Sequence, residues 1–348
     1  MLTHDQLEAI LGTLPRLTIG LVGDLFLDRY LELVPGPHEL SIETGLEAYQ
    51  IERIRNAPGA LGTVMNNLAA LGVGLLVPVS VIGDDGHGYD LLKEVRRLPV
   101  DPEHILAVGN RLTPTYTKPL RPILAENAGP SPDRWSELNR LDIRTRRPLS
   151  PEVTPLLCRR VEQVFHSSDG LIVLDQLVDE NQGVVNSEVR DTLARLGREH
   201  PTKLIYADSR RFLGKFTAAT LKGNRSEVLG ADFPHSATDA DVHRALAGLC
   251  ERTCRAAFCT MGERGILVAR PGHLLELVPG IPVSGPIDIV GAGDAATSGI
   301  VSALLAGASE LSAAALGNLV ASITVQQLGT TGTASPEQLR ATWSEFRC

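Results

Sequence analysis

The chain has 348 residues, 43% of them hydrophobic and 21% charged, which is ample for a large core and excludes a disordered or fibrous protein. Its formal charge of −8 argues against nucleic acid as a partner, since neutralising phosphates takes a clustered excess of Lys and Arg. No run approaches the roughly 20 apolar residues that span a bilayer, and five cysteines without a CxxC pair indicate neither a disulfide framework nor a zinc site.

Met1 to Leu14 mixes Asp5 and Glu8 with Leu2, Leu7, Ile10, Leu11 and Leu14, which predicts a short amphipathic helix. A secretory leader would need a basic start and an unbroken apolar run, so the expected location is the cytoplasm. Short apolar runs then alternate with segments of helical period, the pattern of βα units that build a mostly parallel sheet. Strands are predicted at Leu17 to Gly23, Leu75 to Ile82, Gly170 to Asp175, Lys203 to Asp208, Ala256 to Thr260 and Gly265 to Ala269. Helices are predicted at Asn66 to Leu71, Tyr89 to Leu98, Glu152 to Phe165, Ser187 to Glu199, Asp239 to Arg252, Asp294 to Ala306 and Leu311 to Leu328. Cys250 and Cys254, one helical turn apart, are expected as small buried residues. Two stretches break the rhythm, Leu31 to Ala57 and Thr113 to about Arg147. They are expected to decorate one edge of a single core domain (1–348) as lid insertions, about 31–57 and 113–125.

The strongest local signal is Asp288-Ile289-Val290-Gly291-Ala292-Gly293-Asp294, which leads directly into an apolar helix. Two glycines and an alanine leave backbone N–H groups open to an anion, and the helix dipole adds to the attraction. An aspartate closing such a nest is placed to take a proton from an attacking hydroxyl. A plain helix cap remains the other reading of Asp294.

This block resembles the carboxyl-terminal signature of the ribokinase-like, or phosphofructokinase B, carbohydrate kinases. The resemblance implies an α/β three-layer sandwich of Rossmann type with a small β lid, ATP and Mg2+ as cofactors, and a sugar or sugar phosphate as substrate. Asp294 would be the catalytic base, and the amides of Gly291, Ala292 and Gly293 the anion hole.

Other segments extend the likeness. Leu21 to Tyr30 resembles the first-strand segment of the heptose 7-phosphate kinase branch; Asp28 matches the substrate-binding aspartate, Asp24 is a second candidate, and a turn or cap is the alternative for each. Pro58-Gly59 with Asn67 to Gly72 is similar to the amino-terminal signature, implying substrate contacts at Gly59 and Thr63. Ala60 stands where the family has a second glycine, and Thr63 where it has an asparagine. Lys222 to Glu227 resembles the Asn-x-x-Glu motif, with Asn224 near the phosphates and Glu227 organising magnesium, although Gly223 replaces the usual proline. Thr260, Gly262 and Gly265 match a turn beside the ATP phosphates, and Asn318 falls where the family lines the adenine pocket.

The basic residue expected after Asp175 is missing; Lys118 and Arg121 would supply its charge, or are plain solvent-facing residues on an edge strand. A role for K+ near Asp288 stays open, and the family's paired lids imply a homodimer. The alternative is a non-catalytic sugar- or nucleotide-binding regulatory protein on the same scaffold, suggested by Ala60, Thr63 and the altered Asp175 segment. A dinucleotide-dependent oxidoreductase fits less well, because the glycine-rich turn comes late rather than after the first strand.

Overall fold

A computed structural model describes residues 2–123, 135–230, 237–329 and 331–347. Residues 124–134 of the second expected insertion, and Cys348, lie outside these. The chain opens with α1 (His4–Thr13), β1 (Thr18–Gly23) and β2 (Leu25–Leu33), then a hairpin of β3 (Glu39–Leu40) and β4 (Glu47–Ala48). There follow β5 (Ile51–Ala60), α2 (Leu61–Ala70), β6 (Leu75–Gly83), α3 (Gly86–Val95), β7 (Ile105–Val108), β8 (Thr115–Pro122), β9 (Trp135–Glu137) and β10 (Leu141–Ile143). The middle comprises α4 (Val153–Ser167), β11 (Gly170–Asp175), α5 (Ser187–Glu199), β12 (Leu204–Ser209), β13 (Thr220–Asn224), α6 (Arg225–Leu229) and α7 (Asp239–Thr253). Last come β14 (Ala257–Thr260), β15 (Gly265–Ala269), β16 (Glu276–Pro279), α8 (Ala292–Leu305), α9 (Glu310–Thr324) and α10 (Pro336–Arg347).

Nine strands form one sheet in the order β16-β15-β14-β13-β12-β11-β1-β6-β7. Pairing is parallel from β7 to β14 and antiparallel at the β14, β15 and β16 edge. Strand side chains alternate between faces, so β11 sends Ile172 and Leu174 to one helix layer and Leu171 and Val173 to the other. Because both faces are covered, its sequence reads as a continuous apolar run rather than as an alternation. One layer holds α1, α2, α8 and α9, and the opposite layer α4, α5 and α7. This is the expected three-layer α/β sandwich.

The lid is a second sheet, β10-β8-β2-β5 with β9 on β8. It begins earlier than residue 31: β2 already pairs with β5 at Leu25, so Asp28 rides on a lid strand instead of ending the first core strand. Helix α2 likewise starts at Leu61, ahead of the expected Asn66, and takes in Thr63. Strand β13 and helix α10 were not foreseen. In β13 a buried lysine interrupts the apolar pattern that marks strands. Cys254 departs from its expected burial: it is the exposed left-handed C-cap of α7. Among the described residues no helix is long and apolar enough to cross a membrane.

Candidate active site

The glycine-rich turn opens α8 as expected. Gly291 is its N-cap at φ 81°, a conformation that costs an L side chain about 1–2 kcal/mol. The amide of Ala292 already donates to Ile289 O at 3.2 Å. The unclaimed backbone donors at this helix start, among the described residues, are therefore those of Gly291, Gly293 and Asp294.

Helix α2 packs on α8, where Ser298 Oγ donates to Val64 O. This brings Thr63 beside the turn: a Cβ built on Gly291 would stand 3.6 Å from Thr63 Cγ2. One turn earlier in the chain, Gly59 lies directly against the Asp28 carboxyl, and a Cβ there would come within 2.6 Å of Asp28 Oδ2. A side chain at position 59 would push the Asp28 carboxyl out of its present place. Residues 59–63 thus meet Asp28 at Gly59 and the turn of Gly291 at Thr63, which brings together four of the predicted positions.

Burial pushes the Asp294 carboxyl up to about 7, opposed by Lys222 and reinforced by Asp208 and Glu227. The residue nevertheless stays only half-buried. Beneath it, Lys222 Nζ pairs with Asp208 Oδ2 at 2.6 Å, and Thr297 Oγ1 donates to the same oxygen at 3.3 Å. A Cβ on Gly293 would stand 3.2 Å from Lys222 Nζ, so the ammonium lies against the nest. The sequence reading gave Lys222 no role. Its signal was available: a lysine immediately before Gly-Asn, in a segment that must reach the phosphates if Asn224 does.

Other expected residues divide. Asn224 and Thr260 are register partners at the ends of β13 and β14, and Gly262 (φ 64°) and Gly265 (φ 105°) shape the turn that follows. Asn224 and Glu227 cap α6 reciprocally: Asn224 Oδ1 accepts from Glu227 N, and Asn224 N donates to Glu227 Oε2 at 2.6 Å. Glu227 is raised, chiefly by burial and then by Asp208. Asn318 donates its amide to Val278 O and Pro279 O, tying α9 to β16. Asp24 is 1% exposed; Oδ1 accepts from Val184 N at 2.9 Å and Oδ2 faces Gly183. It holds the loop after β11 and lies beneath the cleft surface. Asp288 accepts from the amides of Val290 and Gly329, and among the described residues no His, Cys, Asp and Glu group forms a metal cage.

Neither proposed basic residue is free. Lys118 lies 3.7 Å from Asp28 Oδ1, and Arg121 pairs with Glu47 on the exposed hairpin. Burial raises Asp28, with Lys118 the main opposing influence.

Ala60, in the place of a second glycine, sits at φ 53° and ψ −115° as the N-cap of α2. Such a conformation costs a non-glycine residue about 1–3 kcal/mol. Ala60→Gly is expected to raise stability by about 1 kcal/mol, the strain relief exceeding the extra chain entropy of glycine. Denaturant unfolding checks this, and a loss of stability would contradict strain at this position.

Residues 199–338 match the family described as pfkB family carbohydrate kinase. The bifunctional protein HldE of Pelobacter propionicus is 27% identical over 345 residues, covering 97% of this chain and 66% of that protein. HldE of Helicobacter pylori strain P12 is 28% identical over 316 residues, covering 89% and 63%. The chain therefore spans slightly less than two thirds of the curated relatives it matches. Among solved structures, Arabidopsis thaliana ribokinase complexed with ribose and ATP superposes with a TM-score of 0.64 at 17% identity, over 94% of this chain and 98% of that one. Phosphofructokinase-2 from Escherichia coli, in complex with substrates and products, gives 0.68 at 15% identity, over 95% and 99%. At these identities the two structures establish the fold, which is ribokinase-like.

Proposed function

We propose, from a chain of the ribokinase-like carbohydrate kinase family, that it transfers the γ-phosphoryl group of ATP to a hydroxyl of a sugar or sugar phosphate. A heptose 7-phosphate-like acceptor is the first candidate. The observation that carries this reading is that residues 59–63 link Asp28, beside Gly59, to the turn of Gly291, beside Thr63, and that Lys222 lies against the same turn at Gly293, next to Asp294. Asp28 orients the acceptor through a sugar hydroxyl. Asp294 removes the proton of the attacking hydroxyl, and the nest with Lys222 receives the charge of the moving phosphoryl group. Closure of the lid excludes water, which would otherwise accept the phosphoryl group.

The residues suit magnesium bound with its phosphates and part of its hydration, because the carboxylates of Asp208 and Glu227 gather near the nest without caging an ion. Glu227 is the residue that would hold it. When bound, the ion supplies charge neutralisation on the triphosphate. Asn224, Thr260 and the turn at Gly262 and Gly265 would line the nucleotide side.

A panel assay of ADP release on free and phosphorylated sugars, including heptose 7-phosphate, tests the reading. Silence across the panel despite ATP binding would favour the non-catalytic regulatory alternative. One observation speaks for that alternative: Asn224 and Glu227 are engaged with each other.

The active form of the base is the carboxylate, so kcat/KM is expected to climb about tenfold per pH unit below about 7 and to level off above it. The linkage to folding runs the other way. A carboxyl raised from 3.8 to about 7 binds its proton more tightly when folded, so this group favours the fold at low pH and progressively less as pH rises between those values. Asp294→Asn should flatten both profiles, and an acid limb near pH 7 that survives the substitution would assign it to another group.

The lid supports a dimer of two copies. Leu40, Ile42, Leu46 and Ile54 are all exposed on it, and β5 is an edge strand. Sedimentation should give twice the chain mass, and Ile54→Lys should shift it toward the monomer.

A further inference from the structure

An open surface depression of about 450 Å³ lies between α5 and the turn before β13, lined by the buried Arg190 and by the exposed Ser187, Asp191, Arg198, Lys215 and Thr217. It belongs to the α5 layer of the sheet, whereas Asp294 opens a helix of the opposite layer. Three cations face one lining carboxylate. Arg190 is only 7% exposed; its guanidinium donates to Val185 O at 2.9 Å, Glu180 Oε1 at 3.0 Å and Asn181 Oδ1 at 3.2 Å. Lys215 pairs with the same Glu180. Among the described residues, the Arg198 guanidinium, the Asp191 carboxylate and the hydroxyls of Ser187 and Thr217 have no side-chain partner.

We propose that this depression is a second binding site, for a phosphate monoester that also carries free hydroxyls. The Arg198 guanidinium, the Lys215 ammonium and the Thr217 hydroxyl line the end of the site for phosphate oxygens, and charge-assisted contacts of this kind are the strong ones; Ser187, roughly 16 Å away along α5, stands at the other end. Asp191 provides the complementary acceptor for a ligand hydroxyl. The volume suits a small metabolite, since such sites run to about 300–1,000 Å³. A sugar phosphate and a nucleoside monophosphate share this chemistry.

The site has a physical route to the start of the lid. Residues 176–186 are gripped from outside by Arg190 and Lys215 through Glu180, Asn181 and Val185. From inside they are held by Asp24 at Val184 N and by Arg111 at Gln182 O. A phosphate that draws Lys215 away from Glu180 removes one outer hold on the segment that Asp24, the residue before lid strand β2, grips from inside.

Titration calorimetry of the full chain with AMP and, separately, with ribose 5-phosphate tests this without requiring turnover. One or both probes should bind, and Arg198→Ala should weaken that binding about tenfold or more. The arm that binds distinguishes a nucleotide from a sugar phosphate. On addition of the binding probe, amide exchange across 180–186 should accelerate in the wild type and not in Arg198→Ala. Lys215→Gln, which releases Glu180 without ligand, should reproduce the faster exchange. The proposal is overturned if neither probe binds, if Arg198→Ala binds as well as wild type and so places the probe in the kinase cleft, or if exchange across the segment does not respond.

Discussion

Replacing Asp294 with Asn is expected to lower ADP release by about 10²- to 10⁴-fold, the usual contribution of a positioned general base. The substitution conserves shape and removes only the ability to accept a proton. Because burial already pushes this acid up to about 7, a neutral amide should be tolerated and folding at pH 8 should hold or improve slightly. Nucleotide affinity should change little, since the backbone donors of Gly293 and Asp294 remain. Single-turnover kinetics beside equilibrium ATP binding separates these effects. Unchanged turnover would remove Asp294 as base and leave it as a helix-start acid.

The second large effect is expected at Lys222. Its ammonium and the Asp208 carboxylate are both buried and sit 2.6 Å apart. Removing one member of such a pair leaves an uncompensated buried charge, which typically costs about 3–5 kcal/mol. Lys222→Met should therefore lower the denaturant midpoint strongly, and Lys222→Met with Asp208→Asn should recover much of the loss, because the two sites share one interaction. Lys222 also opposes the upward shift of Asp294. In any folded Lys222→Met protein the acid limb of kcat/KM should consequently move above pH 7. Loss of stability with an unmoved limb would mark Lys222 as structural and remote in effect from the base.

The fold was largely legible because α/β units write themselves locally. Helix α5 was expected at Ser187 to Glu199 and is found at Ser187–Glu199, with Asn186 as its cap and an apolar stripe of Val189, Leu193 and Leu196. Gly170 to Asp175 likewise read as a strand and is β11, which the structure buries throughout. The lid was less legible. Its main strands β2, β5 and β8 are long but half-exposed and rich in charge, and β2 joins it at Leu25 only because β5 and β8 lie on either side.

Within the site, the Gly-Ala-Gly-Asp turn announced a helix start, and the chain's own residues 291–294 were enough for that. Local chemistry could not say that Ala292 gives its amide to Ile289, or that Asn318 serves β16. It also could not say that Asp24 is sealed beneath Gly183, where it grips a loop 160 residues away in the chain.

What the sequence alone determined is therefore periodicity and punctuation: which segments bury one face or two, and where glycine frees the backbone. What only tertiary structure decided is which charges share a volume. Asp28 meets Gly59 across two lid strands, Thr63 meets Gly291 across two packed helices, and Lys222 meets Asp208 and Thr297 beneath the nest. The reason is the range of the forces involved. Helix and strand preferences act over a few neighbouring residues, whereas the displaced ionisation of Asp294 arises from desolvation and from charges delivered by strands that only the assembled sheet sets side by side.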